Sequence, residues 1–143
     1  MPELFTESPP LSAEDQRLVA EYERIGRPSD DLPYSHAFDE LIQRLHLEGE
    51  TRTPNEILKR IFSLRKRGQL PRSLGQSIRI GNIPEFDIRL AEDLLKRTLG
   101  PIGSRDRLPY TQEFDRLHIE FNQQAEQPLD KHKFWRLIAR ISK

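Results

Sequence analysis

Apolar side chains recur at helical spacing in six stretches of the chain, and the residues around these stretches are typical of helix ends. One stretch, 11–26, begins near Ser12 and ends at Gly26, and another, 84–100, ends at Gly100. A glycine just past a helix readily takes the left-handed conformation that ends it. The periodic positions are Leu18, Val19, Tyr22 and Ile25 in the first stretch, and Phe86, Leu90, Leu94 and Leu95 in the other. Each stretch therefore predicts an amphipathic helix.

The other four stretches predict two further pairs of helices. Thr53-Pro54-Asn55-Glu56 is a capping box with proline in the first turn, and it predicts a helix that begins there and closes at Gly68. Residues 130–143 predict a matching helix with Asp130 as its N-cap. The two helices between have their apolar faces at Phe38, Leu41, Ile42 and Leu45, and at Phe114, Leu117 and Phe121.

The chain also repeats itself. Residues 32–41, LPYSHAFDEL, match residues 108–117, LPYTQEFDRL, and residues 53–66 then lie over residues 130–143 with one residue of difference in the loop. The apolar pairs of that second alignment are Ile57/Phe134, Leu58/Trp135, Ile61/Ile138 and Leu64/Ile141. Because the pairs stay in phase with one helical face, we predict an all-α protein built from two diverged copies, in tandem, of a three-helix, helix-turn-helix-like unit.

This interpretation divides the chain into four segments. Residues 1–10 are expected to form a loose tail, 11–71 the first unit, 72–84 a linker and 85–143 the second unit. In the linker, Ile78, Ile80 and Ile83 stand among glycines and predict either a short strand or an extended segment packed on the core. The pattern does not decide between these two.

Composition narrows the class of protein. The 143 residues include no cysteine, which excludes disulfides and thiolate chemistry. No apolar run approaches the roughly 18 residues of a membrane-spanning helix, and the N-terminus lacks the basic and apolar regions of a signal peptide. We therefore expect a cytoplasmic or nucleoid-associated protein.

Motifs for catalysis are weak. There is no glycine-rich phosphate loop, nucleophile elbow or zinc-binding His-Glu-x-x-His pattern. The recurring Asp39 and Asp115 fall in the first turn of a helix, where a negative charge is favourable, and Tyr34 and Tyr110 are expected to pack the helix entries. The four histidines are scattered and do not recur between the copies: His36, His46, His118 and His132. We predict no catalytic residue, cofactor or metal.

Charge is distributed unevenly although the formal net charge is zero. Residues 1–51 hold twelve acidic and four basic side chains, whereas residues 52–80 hold one acidic and eight basic. Such asymmetry can direct an anionic partner to one part of a surface.

The basic side chains concentrate on the third helix of each unit. If Ile57, Ile61 and Leu64 point inward, side chains two positions further on lie about 200° around the helix and point outward. These outward positions are Lys59, Ser63 and Lys66, with counterparts Arg136, Arg140 and Lys143 and neighbours Arg60, Arg65, Arg67 and Arg72. A basic outer face on a third helix is the general plan of helix-turn-helix DNA readers.

Two functions from different classes follow. The first is a tandem nucleic-acid-binding module, with DNA favoured over RNA, that serves as a regulatory or accessory subunit of a larger assembly. The alternative is a helical adaptor that binds protein, either through an acidic surface on its partner or through an exposed patch of Leu70, Ile78, Ile80 and Ile83. The first function requires the third-helix cations to face water. Ion pairs that lock these cations to the acidic side chains of residues 1–51, the acidic front of the chain, would remove the case for it.

Overall fold

The computed structural model describes residues 10–71, 80–100 and 105–142. These residues form six α-helices and no strand, which confirms the predicted all-α class. In chain order the helices are α1 (Ala13–Ile25), α2 (His36–Leu47), α3 (Pro54–Lys66), α4 (Glu85–Leu99), α5 (Gln112–Gln124) and α6 (Lys131–Ile141). Short 3-10 turns, Ser29–Asp31 and Arg105–Arg107, precede α2 and α5.

The helix ends follow the predicted capping residues. Ser12 accepts a hydrogen bond from the backbone N–H of Asp15, and Gly26 ends α1 in the left-handed conformation with φ 71°. At the start of α3, Thr53 and Glu56 form both hydrogen bonds of the capping box. Each cap satisfies a backbone group that the helix itself leaves without a partner.

One apolar core runs through the described residues. α1 packs on α2, and α4 packs on both α5 and α6. The largest fully buried side chains are Trp135, Phe38, Phe62, Phe114, Phe121 and Phe134. One predicted core position is wrong: Phe86 is 53% exposed, whereas its neighbour Asp87 is fully buried.

Asp87 is buried because its carboxylate closes a loop. Its two oxygens accept the backbone N–H groups of Glu126 and Gln127 at 2.8 and 3.0 Å, between α5 and α6. Asp15, the third residue of α1 as Asp87 is of α4, is also buried, and its carboxylate accepts from Arg52 in the loop between α2 and α3. In each case an acidic residue in the first turn of one helix fixes the connection between the next two helices.

Two tyrosines join the first and second halves of the chain, and we call this contact the tyrosine clasp. The backbone N–H of Tyr34 donates to the hydroxyl of Tyr110 at 2.7 Å, and the N–H of Tyr110 donates to the hydroxyl of Tyr34 at 2.5 Å. Their rings stack with centroids 4.4 Å apart. Both residues have positive φ, 63° and 64°, a conformation uncommon for bulky side chains. The reciprocal contact replaces the separate packing of helix entries that the sequence predicted.

The two 3-10 turns cross between the halves. Arg105–Arg107 packs against α3, and Ser29–Asp31 packs against α6. The indole N–H of Trp135 donates to the carbonyl oxygen of Asp30 at 2.9 Å, and the Trp135 ring lies 6.4 Å from that of Phe62. As a result, α3 and α6 each have a turn of the opposite half against the side that the sequence predicted to face water.

The linker is described only in part. Residues 80–83 have no regular secondary structure, and Ile80 and Ile83, like Leu70, are half-buried against the core. Residues 72–79, including Arg72 and Ile78, lie outside the described residues, as do residues 1–9 of the predicted tail and Lys143.

Candidate nucleic-acid interface

Three side chains of the predicted site form a row along α3. Lys59, Ser63 and Lys66 lie on the side of the helix away from the buried Ile57 and Ile61. Lys59 and Lys66 are exposed and Ser63 is half-buried. Seven residues of α-helix span about 10.5 Å, so the two ammonium groups extend from positions about that far apart.

This row is one wall of a groove rather than an open ridge. The 3-10 turn Arg105–Arg107 forms the opposite wall, and the groove between them is open to solvent and has a volume of about 300 Å³. The lining residues are Lys59, Phe62, Ser63, Lys66, Asp106 and Arg107. Three cations, one carboxylate and one hydroxyl therefore surround a floor formed by Phe62, which is only 2% exposed.

The cations of the groove are weakly held. Lys66 Nζ lies 3.4 Å from Asp106 Oδ2, and Arg107 Nη1 lies 2.9 Å from Glu113 Oε1. The Lys66 side chain is 65% exposed and that of Arg107 is 43% exposed, and ion pairs this open contribute about 0–1 kcal/mol each. An incoming anion can therefore compete for both. Among the described residues, no carboxylate lies within ion-pair distance of Lys59, or of the exposed Arg67 that follows the row.

Arg60 does not belong to this surface. Its guanidinium donates to Asp15 Oδ2 from Nε and Nη2, at 2.9 and 2.7 Å. Burial of Asp15 favours a higher pKa, but the hydrogen bonds from Arg60 and Arg52 outweigh that effect and hold the pKa of Asp15 below its usual value. Arg60 therefore joins α3 to α1, and we leave it out of the interface.

A second carboxylate of the acidic front lies between the halves. Arg65 and Arg105 approach Asp30 Oδ1 at 3.2 and 3.4 Å, from α3 and from the opposite half. Burial would raise the pKa of Asp30, but the two guanidinium groups outweigh it and lower that pKa. Arg105 also lies over the Trp135 ring at 5.4 Å.

The expected basic stripe on α6 is wrong for Arg136. Its side chain is 19% exposed, and its Nε lies 3.5 Å from Oδ1 of the fully buried Asp31. Asp31 Oδ2 also accepts a hydrogen bond from Arg27 Nη1 at 2.9 Å, and Asp31 Oδ1 lies 3.2 Å from His132 Nε2. Of the other α6 positions, Arg140 is exposed. The cations are therefore distributed differently on α3 and α6.

The ion pairs that would remove the case for nucleic-acid binding are present for part of the predicted site. Arg60, Arg65 and Arg136 lie against Asp15, Asp30 and Asp31 of the acidic front. Among the described residues, Lys59 and Lys66 form no ion pair with that front, so these two lysines of the row keep the predicted role.

The charge asymmetry was the available signal for these pairs, since an acidic front and a basic middle in one small chain can neutralise each other. The structure brings Lys59, Ser63 and Lys66 together and adds Arg107, which the sequence did not single out.

Other chemistry finds little support in the described residues. No group of three or more histidine, aspartate or glutamate side chains within them has the arrangement of a metal site. His118 and His132 contact backbone carbonyl oxygens, those of Leu129 and Asp31, at 2.6 and 3.2 Å. Over the same residues, every helix is too short or too polar to cross a bilayer.

Comparison with known proteins gives no further guide. No protein-family model, curated protein sequence or solved structure matches the chain.

Proposed function

We propose that the protein binds nucleic acid through the groove between α3 and the Arg105–Arg107 turn. The observation that supports this most directly is the convergence of Lys59, Lys66 and Arg107 on one concave surface. Phosphodiester groups are the anions that such weakly paired lysines and arginines commonly contact. The hydroxyl of Ser63, between the lysines, can donate one further hydrogen bond to a phosphate oxygen.

The contacts favour the backbone over the bases. Phe62 has too little exposed area to stack on a base, and the described lining residues of the groove include no asparagine or glutamine. Binding is therefore expected to depend little on sequence, with dissociation constants of about 1–100 μM at physiological salt. This is the behaviour of an accessory subunit whose target is chosen by other components of an assembly.

We also infer that residues 11–71 and 85–143 are diverged copies of one three-helix unit. Both have the same order of helix, 3-10 turn, helix and helix, and both have a buried aspartate as the third residue of the first helix. Tyr34 and Tyr110 share one backbone conformation and exchange equivalent hydrogen bonds. On this view the aligned rows of the two copies have diverged, because Arg136 in the second lies beside the buried Asp31, whereas its counterpart Lys59 is exposed.

Salt dependence tests the proposed function. Each phosphate contact contributes about −0.7 to −0.9 to the slope of log K against log salt, so three cations predict a loss of about 20- to 40-fold in affinity between about 50 and 200 mM salt. Fluorescence anisotropy with labelled oligonucleotides, both single strands and duplexes, measures this slope.

A pair of matched variants locates the contact. Lys59→Gln/Lys66→Gln removes two of the three groove cations and should flatten the slope by about 1.4–1.8. Arg116→Gln/Lys133→Gln removes the same charge from exposed positions outside the groove and should leave the slope unchanged. Equal effects of the two double variants, or equally tight binding of polyglutamate by the parent protein, would contradict binding of nucleic acid at this groove.

The adaptor alternative has less support in its apolar form, whereas an acidic protein surface is an alternative occupant of the groove, which the polyglutamate measurement tests. Leu70, Ile80 and Ile83 pack against the core instead of forming an exposed patch, and Ile78 is outside the described residues. We therefore keep the nucleic-acid proposal as the leading function.

A further inference from the structure

The shape of the groove limits which form of nucleic acid it can receive, and the inference below rests on the proposed function. An α-helix with its side chains is about 10–12 Å across, and the major groove of B-DNA is about 12 Å wide. A recognition helix therefore fills the major groove by itself. α3 has the Arg105–Arg107 turn packed along the side that carries Lys59, Ser63 and Lys66. Since one helix already fills the major groove, the turn beside it obstructs insertion of α3.

The cations also lie on both sides of the groove, where they can contact a chain that enters it. Lys66 and Arg107 lie on opposite walls, and Phe62 closes the floor between them. The phosphates of a duplex project from a broad convex surface and would meet only the rims of these walls. A volume of about 300 Å³ instead admits a narrow chain that lies between them.

The row along α3 has the length of a short piece of one strand. Lys59 and Lys66 are about 10.5 Å apart along the helix axis, with Ser63 between them. A lysine side chain is flexible and its ammonium group has three donors, so each end of the row can follow a phosphate of the same strand. Positively charged grooves that track a backbone are a common feature of proteins that bind single strands.

We propose that the groove is a site for an unpaired nucleic-acid strand, with three phosphates of one strand contacted by Lys59, Lys66 and Arg107. This replaces insertion of α3 into a duplex, the geometry that the sequence favoured. Because Phe62 offers almost no stacking surface, the site selects strand form through its shape and charge rather than through base identity.

The test measures how tightly the full-length protein binds single-stranded and double-stranded oligonucleotides. Labelled single-stranded DNA, single-stranded RNA and the corresponding DNA duplex are titrated at one low salt concentration, and single strands should bind about tenfold more tightly than the duplex, a difference of about 1.4 kcal/mol. The salt slope for the single strands should be near −2, from about −0.7 for each of three contacts.

A variant that changes the shape of the groove without its charge provides the second measurement. Ser63→Trp fills the space between the two lysines, and it should weaken binding of single strands about tenfold while leaving weak duplex binding intact. Gln43→Trp, on the exposed face of α2, adds the same side chain elsewhere and serves as the control. Circular dichroism verifies that both variants remain helical.

The outcomes separate the two proposals. Preference for single strands together with the Ser63→Trp loss supports the strand inference. Equal or tighter binding of duplex, still dependent on Lys59 and Lys66, would overturn the strand inference and leave nucleic-acid binding standing. Absence of binding to every oligonucleotide at low salt would overturn both.

Discussion

In the tyrosine clasp, removing the hydroxyl of one tyrosine should affect the backbone N–H of the other tyrosine. In Tyr110→Phe the backbone N–H of Tyr34 loses its acceptor, and in Tyr34→Phe the N–H of Tyr110 loses its acceptor. The rings, which stack at 4.4 Å, remain in both variants. Each substitution therefore removes one hydrogen bond between the halves and little of the apolar contact.

The magnitude follows from the group that is left behind. A buried backbone N–H without a partner costs about 1–3 kcal/mol, and the clasp is only partly buried, so we expect about 1–2 kcal/mol for each variant. For a chain of this size, that loss corresponds to a fall in Tm of about 3–8 °C. The double variant should lose more than either single one.

Two assays measure the effect. Urea unfolding, followed by the fluorescence of the single tryptophan Trp135, gives the loss of free energy of unfolding. Amide hydrogen exchange then gives the crossed signature: Tyr110→Phe should speed exchange at Tyr34 but not at position 110, and Tyr34→Phe should do the reverse. Leu47→Ala, at a residue 83% exposed, is a control that should change stability by less than about 0.5 kcal/mol.

The result that would refute the reasoning is specific. If each substitution affects exchange at its own position and spares the other tyrosine, the hydroxyls are not the acceptors of the opposite N–H groups. Urea midpoints indistinguishable from that of Leu47→Ala in both variants would lead to the same conclusion.

Three further predictions concern stability and pH. Asp87→Ala should lower the free energy of unfolding by about 3 kcal/mol, measured with urea, because two loop amides lose a charged acceptor, and Asp87→Asn should lower it less. Equal, negligible losses in both variants would show that the carboxylate does not hold the α5–α6 loop. Hydrogen bonds from Arg52 lower the pKa of Glu50 to about 2, so its contribution is present above about pH 4.5 and is lost as the pH falls toward 2; Glu50→Gln should therefore destabilise the protein at pH 7 but not at pH 2. Burial raises the pKa of Tyr34 and Tyr110 above 10, so the free energy of unfolding should fall as the pH rises past 10, and the Tyr34→Phe/Tyr110→Phe variant should show a smaller fall. Tyrosinate absorbance from these residues that appears at pH 10, before unfolding, would contradict this.

The helices could be predicted because their signals are local. Ser12, Gly26 and the Thr53–Glu56 box act within one helical turn, so a short stretch of sequence contains all the residues involved. Periodicity failed at Phe86 because the competing residue, Asp87, gains two backbone hydrogen bonds from a loop about 40 residues away. A hydropathy pattern cannot register a partner at that distance.

The candidate site could be predicted only in part. The side of α3 that carries Lys59, Ser63 and Lys66 follows from helical geometry alone. Whether a cation on that side is available depends on what packs against it, and the turns that approach α3 and α6 come from the opposite half of the chain. For that reason Lys59 and Arg136, equivalent in the alignment, have different surroundings: one is exposed, and the other lies beside the buried Asp31.

The reciprocity of the clasp also affects how the protein can fold during synthesis. Tyr34 hydrogen-bonds to Tyr110, which is synthesised 76 residues later, and Asp30 hydrogen-bonds to Trp135, which is synthesised 105 residues later. At about 5–20 residues per second, translation needs about 4–15 s to supply the second tyrosine. Throughout that interval the side chains of the nascent first half that pack against the second half have no counterpart, so the contacts between the halves form only late in synthesis.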